Sequence, residues 1–128
     1  MGDPFRHRSG LCPVCGSALR PFGARLCCDR CEAIFVTADD LRASIEEVIV
    51  LPCALSITDH GEGALRCPEC GGAMAHCKIV VTLDDMTAKP KVELSRCAAH
   101  GLWFGEGQLA EVVYAAERAF PRVPRGRG

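Results

Sequence analysis

Eight side chains in this sequence have the type and spacing of metal ligands: Cys12, Cys15, Cys28 and Cys31 in the first half, and Cys67, Cys70, Cys97 and His100 in the second. Two thiolates three residues apart converge on one ion at ~2.3 Å when the chain between them turns tightly, and a glycine just after the pair supplies the unusual backbone angles. Gly16 and Gly71 occupy that place. Two such knuckles supply four ligands, the tetrahedral set of a structural zinc site. The expected cofactor is therefore two structural Zn2+ ions, the first held by four thiolates and the second by three thiolates and an imidazole.

Both sets are complete at four ligands, which leaves no position for the water that a hydrolytic zinc activates. Glu69 and Glu106 stand near ligands in sequence, but a solvated surface is the ordinary fate of such residues, and no Gly-rich phosphate loop accompanies them. No catalytic residue and no small-molecule substrate is expected, and the chain reads as a non-enzyme. A thioredoxin-like redox site would want one Cys-x-x-Cys at a helix start, whereas here each motif has a partner. The opening MGDPFRHRSG has no apolar stretch of the kind a secretory signal needs, and no run approaches a membrane span. A reducing, cytoplasmic location without membrane contact is the expectation, and there such spacings favour metal over disulfides.

The elements that must position these ligands follow from an internal repeat. CPVCGSALRPFGARLCCDRCEAIFVTADDL and CPECGGAMAHCKIVVTLDDMTAKPKVELSRCAAHGLWFGEGQL share a Cys-Pro-x-Cys-Gly opening, a hairpin-like middle, a second ligand pair, an aromatic residue and a helix start. The first hairpin is expected to turn near Pro21 to Gly23. In the second, Ala75 to Leu83 reads as one strand, Asp84 to Lys91 as a polar connection and Val92 to Arg96 as the returning strand. Thr37 with Asp40 has the form of a capping box, after which Leu41, Ile45, Val48 and Ile49 share one helical face. Leu109, Val112, Val113, Ala116 and Phe120 make the matching stripe, closed by Pro121. Val50 to Ile57 is an apolar, strand-like run broken by Pro52, and Asp59 to Gly63 reads as a linker.

The expected fold is thus a small metal-stabilised α+β chain of two tandem zinc ribbons, each a β-hairpin with zinc knuckles followed by a short α-helix. Its parts are a flexible N-terminal segment at 1–10, a first ribbon with helix at 11–58, a linker at 59–63, a second ribbon with helix at 64–120, and a disordered Arg-rich tail at 121–128. Aromatic residues make up only 5% of the chain, against ten cysteines, so the apolar core is thin and metal must supply stability. Cys27 and Cys77 are expected to alternate with ligands along strands and Cys53 to fill a small core position. Phe35 and Trp103 are expected to pack over the metal rather than stack on a base.

At these residues the chain resembles a bacterial zinc-finger family related to the zinc ribbon of transcription factor IIB, present as two tandem copies. That pattern ends in a second knuckle, a Trp and a Gly-Glu-Leu helix start. Trp103, Phe104, Gly107 and Leu109 match it with Gln108 in the Glu place, and Phe35, Asp39 and Asp40 stand for Trp, Gly and Glu in the looser first copy. The register of the resemblance selects Cys28 over Cys27 as third ligand. The resemblance implies a metal-dependent ribbon fold and a regulatory role.

Net charge is −1, which argues against a protein devoted to nucleic acid. The charge is nonetheless uneven. Residues 1–31 carry five Arg against two acids and residues 118–128 carry four Arg, while 32–117 hold six basic and fourteen acidic side chains. Two functions are carried forward: a protein-interaction module in transcription or its regulation, and direct nucleic-acid binding through Arg6, Arg8, Arg20, Arg25 and Arg30 with the Arg-rich tail.

Overall fold

The computed structural model describes residues 10–120. The chain runs β1 (Arg20–Phe22), β2 (Arg25–Cys28), β3 (Ala33–Val36), α1 (Ala38–Ile49), β4 (Ala54–Arg66), β5 (Ala73–Leu83), β6 (Met86–Ala88), β7 (Leu94–Cys97), β8 (Gly101–Phe104) and α2 (Gln108–Ala119). It is a small α+β fold in which the strands form one antiparallel sheet in the order β1-β2-β3-β8-β7-β5-β4, with β6 also against β5. The expectations for Pro121, Arg6, Arg8, the N-terminal segment and the tail fall wholly or almost wholly outside the described residues.

Strand alternation divides the buried side chains between two faces. On one face Val36, Leu102, Phe104, Ile79 and Val81 meet the stripes of both helices, through Leu41, Ile45 and Ile49 of α1 and Val112 and Ala116 of α2, with Phe120 just beyond. On the other face Phe35, Trp103 and Met74 pack with Leu19 and the ligand cysteines Cys12, Cys28 and Cys67. The sheet separates a helix-covered core from a layer that carries the candidate metal ligands. Val48, expected on the α1 stripe, is half-buried, while Leu109 and Val113 flank the core.

Local chemistry sets the helix ends. The Thr37 hydroxyl accepts the Asp40 N–H at 3.0 Å, half of the expected capping box. The Asp40 carboxylate does not reach back to Thr37; it takes two bonds from the Arg25 guanidinium of β2 at 2.8 and 2.9 Å. Arg25 also donates to the Ser44 hydroxyl at 2.7 Å, tying the first hairpin to α1. In α2 the cap is Gly107 at φ 79, and the Gln108 side chain accepts the Gly105 N–H at 2.7 Å.

Two expectations are corrected. Residues 59–63 are not a linker: they lie inside β4, which pairs with β5 from Ala54↔Thr82 through Arg66↔Ala73. Asp-His-Gly-Glu-Gly has the composition of a connection, but two register shifts, with Gly61 at φ 128, let the strand continue across it. The boundary between a first unit at 11–58 and a second at 64–120 consequently falls in the middle of a strand. Likewise Asp84 to Lys91 is not one connection, since Met86–Ala88 turns straight back along β5 as β6. The first hairpin turns at Gly23 and Ala24, with Phe22 opposite Arg25.

The halves are joined at the sheet's middle. β3, which follows the first ligand set, pairs antiparallel with β8, which follows the second, as Ile34↔Phe104, Phe35↔Trp103 and Val36↔Leu102. Gly101 opens β8 where a Cβ would lie 2.4 Å from the Val36 carbonyl oxygen, so this close approach requires glycine.

Candidate metal centres

Each ligand set is built from one knuckle turn and one strand end. In the first, an isolated bridge between Leu11 and Ala18 brings the chain back on itself. The Cys12 N–H donates to the Ser17 carbonyl at 2.8 Å and the Gly16 N–H to the Cys12 carbonyl at 2.9 Å, with Gly16 at φ 80. This winding turns the N–H groups of Val14 and Cys15 onto the Cys12 sulfur at 3.3 and 3.4 Å. Cys28 ends β2, and the Cys31 N–H points at its sulfur at 3.3 Å. Such donors steady a thiolate and orient it toward an ion.

The second set repeats the turn. Cys67 N–H donates to the Gly72 carbonyl and Gly71 N–H to the Cys67 carbonyl, both at 2.8 Å, with Gly71 at φ 78. The Glu69 N–H meets the Cys67 sulfur at 3.2 Å and the Gly72 N–H the Cys70 sulfur at 3.5 Å. Cys97 ends β7, and a turn closed by His100 N–H on the Cys97 carbonyl at 3.0 Å delivers the imidazole.

The eight residues come together as two sets of four, with the ligand atoms of each set all within 4.8 Å of one another. A tetrahedral ion with ~2.3 Å metal–sulfur bonds has sulfur–sulfur edges of roughly 3.8 Å. The observed edges are 3.9 Å for Cys12–Cys31, 3.6 Å for Cys15–Cys28 and 3.9 Å for Cys70–Cys97. His100 Nδ1 stands 3.4 Å from the Cys97 sulfur and 3.7 Å from the Cys67 sulfur. Both sets therefore fit one four-coordinate metal ion each, in donor type and in spacing.

The electrostatics agree with that fit. Hydrogen bonding to Ser17 brings the exposed Cys15 thiol down to about 6, whereas hydrogen bonding with Cys15, followed by desolvation, pushes Cys31 up to about 12. In the second set burial pushes Cys67 up to about 12, and the Gly72 N–H lowers Cys70. Each cluster thus pairs a thiol that gives up its proton more readily, Cys15 or Cys70, with one that holds it, Cys31 or Cys67, and a cation placed among the sulfurs would favour the thiolate form of both.

The remaining candidates take other roles. Glu69 and Glu106 are exposed. Cys77 is wholly buried in the helix-side core, Cys53 is half-buried at its margin, and Cys27 is half-buried on β2 with its neighbour Cys28 turned inward. Phe35 and Trp103 are buried on the ligand side, but against one another as well as against the cysteines, with ring centroids 6.5 Å apart. Of the arginines, Arg20 is held by Asp29 through two bonds at 3.0 Å and Arg25 by Asp40.

One contact had no signal in the sequence. The Gly10 N–H donates to the Pro68 carbonyl at 2.8 Å, so the chain entering the first knuckle is bonded to the middle of the second. No protein family matches the chain, and neither does any curated protein or solved structure.

Proposed function

We propose that this is a non-enzymatic zinc-binding protein whose two metal centres are structural, and that its two zinc ribbons, fused through β3 and β8, form a protein-interaction module in transcription or its regulation. The observation that carries this reading is the completeness of the two ligand sets, four donors each at tetrahedral spacing, anchored to one sheet. Three or four thiolates with at most one imidazole suit zinc, and a full set of protein ligands makes the ion a cross-link rather than a reagent. The large sheet then presents fixed surfaces to a partner.

Direct nucleic-acid binding has less support. Arg20 and Arg25 commit their guanidinium groups to Asp29 and Asp40, which removes two of the cations that reading needs. A cytoplasmic location is part of the proposal; no helix among the described residues is long and apolar enough to cross a membrane.

Native mass spectrometry of the purified chain tests the metal: two zinc ions are expected, and fewer than two would sink it. Affinity capture tests the module. A saturable protein partner should be recovered by the wild-type chain and lost with Cys67→Ser and Cys70→Ser together.

A further inference from the structure

The 128-residue chain contains three lysines, Lys78, Lys89 and Lys91, and all three line one cleft of about 620 Å3. The cleft arises because β6 and β7 are two pieces of one returning strand. Both run along the side of β5 that β4 leaves free, with Val81 opposite Ala88 and Cys77 opposite Leu94. Three residues of β5, Lys78 to Val80, therefore stand against five of the return, Lys89 to Glu93. The two surplus residues push the return outward and the ladder stops.

On that side Lys78–Val80 has no strand partner, although β4 pairs with all three residues from the other side. The interrupted ladder leaves main-chain donors and acceptors of these three residues open to a ligand, in a gap bounded by β6 at one end and β7 at the other. The outer wall is held in place from both ends: Pro90 is buried, and the Gln108 side chain of α2 donates to the Glu93 carbonyl at 3.2 Å.

Charge identifies what such a ligand must carry. Residues 32–117 hold six basic side chains against fourteen acidic, and half of those six are gathered here. Among the described residues none of the three lysines is in an ion pair. The one carboxylate of the lining, Glu93, is engaged by His60 Nε2 at 2.9 Å. Ile79, Val80, Pro90 and Val92 supply apolar wall between the charges. No aromatic ring and no arginine lines the cleft, so it lacks a surface on which bases stack and the fork that grips phosphate.

We infer that this cleft binds an acidic segment of a protein partner, which crosses the gap at Lys78–Val80 and sets its carboxylates against Lys78, Lys89 and Lys91. The inference rests on the reading of the protein as an interaction module and names that module's surface and partner chemistry.

The test is an amide-resonance titration of the isotope-labelled, zinc-loaded full chain with three probes: a short synthetic peptide alternating glutamate and valine, the same peptide with glutamine for glutamate, and oligothymidylate. The acidic peptide should shift the amides of Lys78–Val80 and Lys89–Glu93 saturably. Its affinity should fall by about tenfold in the Lys78→Gln, Lys89→Gln, Lys91→Gln triple variant and by a similar factor for the glutamine peptide. All three lysines are exposed, so the variant should keep the wild-type spectrum elsewhere. Absence of saturable shifts at these amides, equal binding of the glutamine peptide, equal binding to the triple variant, or tighter binding of oligothymidylate would each overturn the inference. A partner captured from cell extract equally by the wild type and the triple variant would overturn the cleft and leave the interaction module standing. Failure to capture any partner would overturn the module, while the peptide titration would still decide the cleft.

Discussion

Phe35 and Trp103 stand directly opposite one another across β3 and β8, each a few residues beyond the last ligand of its own metal set, and their rings form a single wall behind both sets. The two candidate centres therefore share one aromatic wall. Replacing Trp103 with Ala should cost about 3–5 kcal/mol of folding free energy. It should also speed metal loss to a competing chelator at the four-thiolate centre as well as at the centre completed by the imidazole. Acceleration confined to the centre containing His100 would show that the wall is not shared.

Metal removal should unfold the ligand layer, since a structural zinc ion contributes on the order of 10 kcal/mol to a small site. Each ion displaces thiol protons, Cys31 and Cys67 holding theirs most firmly. Apparent affinity should accordingly weaken as pH falls from about 8 to about 6, with proton release on binding measurable by calorimetry in buffers of different ionisation enthalpy. Affinity independent of pH over that range would contradict thiolate ligation.

Gly101 lies where β8 meets the end of β3, with no room for a side chain. Gly101→Ala should push the Val36–Thr37 backbone away from β8 and destabilise the fold by about 2 kcal/mol or more, through a clash with backbone together with a backbone angle, φ 151, that disfavours alanine. Equilibrium denaturation measures it.

Val50 closes α1 in the left-handed region at φ 62 with its side chain exposed, a position where a β-branched residue is strained. Val50→Gly should stabilise the protein by about 1 kcal/mol, raising the thermal midpoint without altering metal content. An unchanged or lower midpoint would show that this cap carries no strain.

Burial pushes the Cys77 thiol from 9.0 up to about 11. The folded state thus disfavours the thiolate, and its contribution is fully present below pH 9 and lost as pH rises toward 11. Metal-loaded protein should lose about 2 kcal/mol across that window, and Cys77→Ala should flatten the loss while lowering stability throughout.

The two groups of four candidate ligands could be read from the sequence because a knuckle is a local object: three-residue spacing and a following glycine specify it without reference to the rest of the chain. The helices were legible for the same reason, Thr37 marking one start and the spacing of Leu41, Ile45 and Ile49 giving the buried face. Pairings between distant strands leave no such mark. Nothing near Phe35 says that Trp103 will face it, and the pentapeptide from Asp59 to Gly63 has the composition of a connection while its backbone follows a bulged strand. The Asp40 carboxylate shows the limit of local rules, since a residue placed to complete a cap was claimed by Arg25 from across the fold. The lysine cleft was hidden because it depends on a count, three residues against five, that only the register reveals.

The course of β4 decides how the molecule can meet anything else. A hinge at residues 59–63 would have let two fingers aim separately; a paired strand there puts both candidate metal sites on one continuous sheet. Under the proposed role a partner would meet one continuous sheet, and cutting the chain at that point would yield not two working halves but two broken pieces of that sheet.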